Sequence, residues 1–342
     1  MIPDMGRLPG IDLDALSAWF AARVPGAGGQ LEGSLIAGGR SNLTYIVADG
    51  SKEWIVRRPP LGHVLVSAHD MAREYRVMSA LQGTHVPVPQ TYAMCTDHSV
   101  LGADFYVMER CAGTPYRHAA EVEPLGPART RRISEHLVDT LATLHAVEPA
   151  SIGLADFGRP EGFLGRQVVL WKRQLDASYT RDLPAADELH RRLVDSVPFE
   201  SAVGIVHGDF RLDNLLVDNA DEVTAVLDWE MATLGDPLTD LALMLVYFGL
   251  GASGIDGVSD VSTAPGFLDV REVVERYSRG SARDLSGFGF YMGLATFKLG
   301  AIIEGIHFRH LSGQTVGSGY DDIGDLVHPL LDAGLDAMKE IG

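Results

Sequence analysis

The spacing of apolar residues changes along the chain, from short runs mixed with helical repeats to an almost wholly helical pattern. Residues 12–24 and 67–82 carry apolar side chains on one helical face, which predicts two amphipathic helices. Short apolar runs bounded by turn residues predict strands in the same part of the chain. These runs lie at 34–37, 43–48, 53–57, 90–95 and 103–109.

Beyond about residue 125, most of the chain shows helical periodicity with only short β-rich pieces between the helices. We therefore predict an α+β protein with two domains, residues 1–110 and residues 111–342. The predicted helices of the second domain lie at 129–147, 165–180, 186–196, 236–248, 269–279, 284–311 and 321–340, and its β-rich pieces at 203–206, 214–217 and 223–228.

Composition limits both the class of protein and its partners. The chain has 342 residues, of which 46% are hydrophobic and 22% charged, values typical of a globular protein with a sizeable core. Lys and Arg number 28 against 46 Asp and Glu, so the formal net charge is −18. Because nucleic acids and anionic membranes attract basic surfaces, we expect neither as a partner. The composition leaves the oligomeric state open.

Targeting signals are not evident in the sequence. Residues 1–10 lack the basic segment followed by an apolar segment that is typical of a secretory signal. The most apolar stretch, 238–251, is shorter than the roughly 20 residues that a membrane-spanning helix needs. Two cysteines, Cys95 and Cys111, are too few for a dense disulfide framework. We therefore expect a cytoplasmic protein.

Residues 207–230 contain the side chains that phosphoryl transfer requires. A His-Gly-Asp motif ends at Asp209, Asn214 comes five residues later, and Asp228 follows a strand–turn–strand pattern. The reaction needs a carboxylate that orients the attacking hydroxyl and takes its proton, together with oxygen ligands for Mg²⁺. We predict that Asp209 is this carboxylate and that Asn214 and Asp228 hold Mg²⁺. The alternative is that these residues only cap turns and begin a strand.

The phrases HGDFRLDN and LDWE resemble the aminoglycoside phosphotransferase/choline kinase group of the protein kinase-like fold. The continuation GDPLTDLA, residues 235–242, matches the same group, in which the equivalents of Asp236 and Asp240 support the catalytic loop. The resemblance implies a bilobal fold with a β-rich nucleotide-binding lobe and a mostly helical lobe for catalysis and acceptor binding. It also implies an ATP-dependent O-phosphotransferase that uses Mg²⁺ and acts on a hydroxyl of a small molecule.

Within that group, the chain is most similar to the kinase-like domains associated with acyl-CoA dehydrogenases. The phrases IVRRPP, HGDFRLDN and FKLGAIIEGI carry this likeness. The resemblance therefore implies an acceptor that is an aminoglycoside-like compound or another metabolite, with a hydroxylated acyl thioester as an alternative. A second alternative is a pseudokinase-like module that binds nucleotide and regulates a partner.

The family pattern also implies nucleotide-binding residues in the first domain. The third strand carries Arg57 and Arg58 where the group usually has Lys, and either could contact phosphate. Alternation places Ile55 and Arg57 on one face, which favours Arg57 for the nucleotide and Arg58 outward. Glu74 on the following helix is the expected partner of Arg57. The turn between the first two strands offers groups for the phosphates, and a plain β-turn is its alternative. Its candidate residues are Gly39, Arg40, Ser41 and Asn42.

A segment that resembles the hinge between kinase lobes follows the fifth predicted strand. The backbone near Glu109 and Cys111 would bind adenine, with Met108 packed on the ring, although plain core packing explains these residues equally well. In the second domain, Arg211 either contacts the γ-phosphate or pairs with a nearby acid. Lys298 lies in an otherwise apolar helix, where we favour a snorkelling lysine over an acceptor-binding one.

Overall fold

The structure is a computed structural model that describes residues 8–36, 42–62, 70–199, 202–255, 258–315 and 320–341. The chain divides into two compact units. Unit 1 comprises Met1–Gly113 and Thr224–Ala232, and unit 2 comprises Thr114–Val223 and Thr233–Gly342. The segment Thr224–Ala232 therefore belongs to the N-terminal unit although it lies far along the chain.

Helices and strands follow the order that the apolar pattern predicts. In the described part of the chain, the strands are β1 (Glu32–Leu35), β2 (Leu43–Ala48), β3 (Glu53–Arg58), β4 (Thr91–Cys95), β5 (Phe105–Glu109), β6 (Gly204–Val206), β7 (Leu215–Val217), β8 (Val223–Val226) and β9 (Thr233–Gly235). The α-helices are α1 (Leu13–Arg23), α2 (Met71–Leu81), α3 (His98–Leu101), α4 (Ala119–Val122), α5 (Pro127–Ala146), α6 (Phe163–Asp176), α7 (Pro184–Asp195), α8 (Leu238–Gly251), α9 (Val270–Gly280), α10 (Phe288–Leu311) and α11 (Val327–Ala337). The sequence pattern did not predict β9, α3 or α4.

The core of unit 1 is an antiparallel sheet in the order β1-β2-β3-β5-β4. One face of the sheet packs against α1, where the rings of Phe20 and Trp54 meet at 5.6 Å between centroids. Because side chains alternate along a strand, Arg57 of β3 lies on the opposite face from Trp54. In the sheet register, Arg57 stands opposite Tyr106 of β5. The register therefore brings these two polar residues together on the face away from α1.

Arg58 does not point outward as alternation suggested. Its side chain is only 5% exposed, and its Nη1 donates to the carbonyl of Leu101 at 3.0 Å and to that of Gly10. The expectation was wrong because the face of β3 that carries Arg58 is covered by segments distant in sequence. Arg58 is thus a structural residue.

Helix α2 begins at Met71 because Asp70 caps it. The Asp70 carboxylate accepts the N–H of Arg73 at 2.9 Å, which satisfies a donor that the first turn leaves unpaired. The sequence predicted this helix over 67–82, and the first residues of that range lie outside the described part of the chain. The observed start still leaves Glu74 in the first turn, where it is buried.

Unit 2 is built around α10, which packs against α6, α8 and α11. Its sequence is apolar on nearly all sides, as expected of a helix surrounded by other helices. Strand β6 pairs antiparallel with β9, so that Ile205 stands opposite Leu234. Because β6 ends at Val206, the His-Gly-Asp motif follows a fully buried strand. Within the described residues, no helix has both the length and the apolar character needed to cross a membrane.

Candidate active site

The backbone of the loop after β6 is held by one buried carboxylate from α8. Asp240 accepts the N–H of His207 at 2.6 Å through Oδ2 and the N–H of Gly208 at 2.8 Å through Oδ1. Burial alone would raise the pKa of Asp240, but hydrogen bonds and charge from His145 and His207 hold it below its usual value. Asp240 therefore stays ionised and fixes the loop, the supporting contact that the family pattern implied.

Asp236, the other predicted support, caps the start of α8. Its Oδ1 accepts the N–H of Leu238 at 3.0 Å, and its Oδ2 accepts the hydroxyl of Tyr291 at 2.7 Å. Asp236 is only 1% exposed, so these donors satisfy a buried carboxylate. Its contacts stabilise the helix that carries Asp240.

The Asp209 carboxylate is fixed by donors at both oxygens. The Asn214 amide donates to Oδ2 at 2.9 Å and to the Asp209 carbonyl at 2.8 Å, and the Tyr247 hydroxyl donates to Oδ1 at 3.0 Å. The motif places Asn214 five residues after Asp209, and the structure brings the two side chains into contact. The sequence pattern did not identify Tyr247, because a tyrosine in an apolar helix is typical of a buried core residue. Its spacing of seven residues from Asp240 is the signal that could have identified it.

Arg211 lies among acids of its own loop. Its Nε is 3.3 Å from Asp209 Oδ2, and its Nη2 is 3.1 Å from Asp213 Oδ2. The guanidinium carbon also lies 5.1 Å from the ring centre of Tyr247. Of the two roles predicted for Arg211, the structure shows pairing with acids.

Lys298 contacts the same loop from α10. Its Nζ donates to the Gly208 carbonyl at 3.1 Å and lies 5.4 Å from the centre of the Trp171 ring. Burial lowers the pKa of Lys298, while the charges of Asp240 and Asp209 oppose that effect. The interpretation as a snorkelling surface lysine was wrong, because the ammonium reaches inward to the backbone next to Asp209.

A second polar cluster lies within unit 1. The Arg57 Nε is 3.3 Å from Glu74 Oε2, and its Nη2 donates to Asp228 Oδ1 at 2.5 Å. The Tyr106 hydroxyl donates to Glu74 Oε2 at 2.9 Å. The ion pair between Arg57 and Glu74, predicted from position in the fold, is therefore present, and Asp228 extends it.

Asp228 has an unusual backbone conformation. It lies in the left-handed region, with φ 65° and ψ 57°, which few residues other than glycine adopt. The next residue, Trp229, is fully buried and donates from Nε1 to the Val226 carbonyl at 2.9 Å. This buried anchor holds the turn that directs Asp228 toward Arg57.

Asn42 is the one member of the predicted phosphate-binding turn that the structure describes, since Gly39, Arg40 and Ser41 lie outside the described residues. Its amide nitrogen donates to Glu74 Oε1 at 2.9 Å and to Glu230 Oε2 at 3.2 Å. The observed Asn42 amide thus binds carboxylates of unit 1.

The hinge candidates differ in their surroundings. Met108 is 5% exposed and lies opposite Ile55 in the sheet, where its side chain is part of the buried core. The Glu109 amide donates to the Gln90 carbonyl at 2.8 Å. Burial, followed by the charge of Glu109, raises the pKa of Cys111 to about 12, so its thiol stays protonated.

Burial raises the pKa of Glu74 from 4.5 to about 7, against the opposing charge of Arg57. The folded protein thus binds this proton more tightly than the unfolded chain, so the contribution of Glu74 to stability is greatest below about pH 4.5 and is lost as the pH rises through about 7. We expect the unfolding free energy of wild type to fall relative to that of Glu74→Gln between pH 5 and 8, by on the order of 3 kcal/mol. Urea unfolding at several pH values measures this.

The matched control is Glu53→Gln, which neutralises an exposed glutamate of β3 in the same unit. Its unfolding free energy should follow that of wild type across the pH range, because solvent screens an exposed charge. Equal pH dependence for wild type and Glu74→Gln would contradict the raised pKa.

Comparison with known proteins supplies relatives for most of the chain. A family model described as "Phosphotransferase enzyme family" matches residues 32–325. A solved structure from Ralstonia eutropha JMP134, assigned to the aminoglycoside phosphotransferases, is 33% identical with a TM-score of 0.85, covering 96% of this chain and 98% of that chain. The AMP-PNP and hygromycin B complex of a thermostable aminoglycoside phosphotransferase APH(4)-Ia mutant is 14% identical with a TM-score of 0.62, covering 95% of this chain and 97% of that chain. The predicted α+β, kinase-like fold is confirmed.

The curated relatives are longer proteins. Acyl-CoA dehydrogenase family member 11 from Gallus gallus is 34% identical over 342 residues, covering 96% of this chain and 44% of its own length. The chain thus spans less than half the length of this relative. The predicted likeness to kinase-like domains associated with acyl-CoA dehydrogenases is confirmed.

Proposed function

We propose that this chain, which belongs to the phosphotransferase enzyme family, is an ATP-dependent O-phosphotransferase that acts on a hydroxyl of a small molecule. The observation that carries the proposal is the Asp209 carboxylate, which is held by Asn214 and Tyr247 in a loop anchored by Asp240. A carboxylate fixed in this way can orient an acceptor hydroxyl and take its proton.

The proposed reaction transfers the γ-phosphoryl group of ATP to the acceptor. The acceptor oxygen forms a bond to the γ-phosphorus while its proton passes to Asp209. The bond between the γ-phosphorus and the bridging oxygen breaks, and its electron pair leaves with ADP. Asp209 then releases the proton to solvent.

Residues of unit 1 are the proposed nucleotide-binding groups. Arg57 is held by two carboxylates, and its planar guanidinium suits binding to phosphate oxygens. The Cys111 N–H and C=O make no hydrogen bond to the described residues, so both are available for the edge of an adenine. Met108 and the backbone of Glu109 belong to the same proposed adenine site. Gly39, Arg40 and Ser41 keep their proposed contact with the phosphates, whereas Asn42 supports Glu74.

Asn214 and Asp228 are the proposed ligands of Mg²⁺. The Asn214 amide nitrogen donates to Asp209, so the amide oxygen points away from Asp209. This oxygen makes no hydrogen bond to the described residues. One Asp228 oxygen accepts from Arg57, and the other, Oδ2, likewise has no hydrogen bond in the described part. Amide and carboxylate oxygens are ligands that Mg²⁺ prefers. When bound, the ion would neutralise charge on the ATP phosphates.

The charges beside Asp209 bear on the choice of acceptor. Arg211 lies near both Asp209 and Asp213, and Lys298 lies at the Gly208 carbonyl, so two cations offset part of the acidic charge in this part of unit 2. A polycationic aminoglycoside binds best where carboxylates are not already balanced. This arrangement, together with the names of the curated relatives, favours a hydroxylated acyl thioester as the second candidate acceptor.

Thermal stabilisation and turnover together test the proposal. Mg·ATP at about 100 times its Kd should stabilise the protein by about 2.7 kcal/mol, seen as a higher melting temperature. We then expect ADP formation that depends on one member of a panel of aminoglycosides, neutral sugars and hydroxylated acyl thioesters. Phosphorus NMR would identify the product as a phosphate monoester.

The pseudokinase alternative makes a different forecast for the same assays. If Mg·ATP stabilises the protein but no ADP forms, either with any acceptor of the panel or with water alone, the result would favour the binding module over the enzyme. Asp209→Asn serves as the matched blank in every turnover assay, because it keeps the size of the side chain and removes the base.

A further inference from the structure

The two oxygens of the Asp209 carboxylate have different surroundings. Oδ2 receives the Asn214 amide at 2.9 Å and lies 3.3 Å from the Arg211 Nε. Oδ1 receives a single donor among the described residues, the Tyr247 hydroxyl at 3.0 Å. Since each carboxylate oxygen has two lone pairs, Oδ1 keeps one lone pair for a further donor, whereas Oδ2 lies between the Asn214 amide and the Arg211 guanidinium. An acceptor hydroxyl would therefore approach Oδ1, beside Tyr247.

Helix α8 holds the loop at two points. Asp240 binds the backbone N–H groups of His207 and Gly208, and Tyr247 binds the carboxylate of Asp209. The two residues are seven positions apart in α8, which is about two helical turns, so they lie on the same face of the helix. One rigid element thus fixes both the backbone and the reacting group.

Tyr247 is itself held so that its hydroxyl donates. The Arg211 guanidinium lies 5.1 Å from the ring centre, which packs the ring from one side. Burial, followed by the charge of Asp209, raises the pKa of Tyr247, so the phenol remains protonated. A protonated phenol beside a carboxylate is a hydrogen-bond donor and not a second base.

We propose that Tyr247 is a positioning residue, whose hydroxyl fixes the plane of the Asp209 carboxylate so that Oδ1 faces the acceptor hydroxyl. The inference rests on the proposed function for its kinetic consequence, but the orientation of Asp209 is a property of the protein alone. Without the hydroxyl, the carboxylate is held at one oxygen only and rotates about its χ2 angle. Since productive geometry is narrow, a rotated base slows proton transfer without weakening nucleotide binding.

Tyr247→Phe tests the proposal, because it removes one oxygen and keeps the ring beneath Arg211. The first readout is a crystal structure of wild type and variant, in which we expect Asp209 to turn or to occupy two conformations only in the variant. The second is ATP hydrolysis with water as the acceptor, where we expect kcat to fall by about 10- to 100-fold and the KM for Mg·ATP to change by less than about two-fold.

The matched control is Tyr179→Phe. The Tyr179 hydroxyl also donates to an aspartate, Asp187 Oδ1 at 3.5 Å, and a cation, Lys172 Nζ, lies 5.9 Å from its ring centre. This control should keep the orientation of Asp209, kcat and KM. A merely structural role for Tyr247 would lower the melting temperature of the variant and leave Asp209 in place.

Two results would overturn the inference: a single, unchanged orientation of Asp209 in Tyr247→Phe, or equal loss of kcat in Tyr179→Phe. If wild type hydrolyses no ATP and phosphorylates no acceptor, the proposed function fails. The crystallographic comparison still decides the role of Tyr247 in that case.

Discussion

Replacing Asp209 with Asn will reduce phosphoryl transfer by about 10²- to 10⁴-fold, the contribution typical of a positioned general base. The substitution keeps the shape of the side chain. The Asn214 amide can still donate to the new amide oxygen, and the Tyr247 hydroxyl can accept from the new amide nitrogen. We therefore expect the loop to stay folded and Mg·ATP to bind with a nearly unchanged Kd, measured by calorimetry alongside kcat.

Asp213→Asn is the control for this experiment, because it neutralises a neighbouring acid that pairs with the same arginine. It should lose much less activity than Asp209→Asn. Normal turnover by Asp209→Asn would show that Asp209 is not the base. Equal losses of activity in Asp209→Asn and Asp213→Asn would show that the activity depends on the total charge of the loop.

Local contacts of the candidate site were the ones that the sequence could predict. The His-Gly-Asp motif and Asn214 belong to one short loop, and the structure places the Asn214 amide 2.9 Å from Asp209. The pair between Arg57 and Glu74 needed only the order of strand and helix that the family pattern supplies. In the first case spacing along the chain restricts the distance between the side chains, and in the second case the family pattern supplies the packing of strand and helix.

Contacts between distant segments were not predictable in this way. Tyr247 follows Asp209 by 38 residues, and the apolar sequence of its helix predicts only a buried core helix. Arg58 was expected to face solvent because alternation describes one strand, whereas its burial comes from the carbonyls of Gly10 and Leu101. Both residues depend on which elements pack together, which a single periodic pattern does not specify.

The buried carboxylate of α8 links stability to the geometry of the loop. Asp240→Ala leaves the N–H groups of His207 and Gly208 without their acceptor, and each unpaired buried donor costs about 1–3 kcal/mol. We expect a lower unfolding free energy in urea and, in addition, a loss of kcat that exceeds the unfolded fraction. The extra loss arises because Asp209 follows directly on the released backbone.

A second buried aspartate separates these two effects. Asp221 is 1% exposed and pairs with Arg129 and Arg132 of α5. Within the described part of the chain it makes no hydrogen bond or ion pair with residues 207–214, so Asp221→Ala should lose stability while its folded fraction keeps wild-type kcat. Both variants are compared at a temperature where each is folded. If the activity of Asp240→Ala follows only its folded fraction, as for Asp221→Ala, then Asp240 stabilises the fold without setting the position of Asp209.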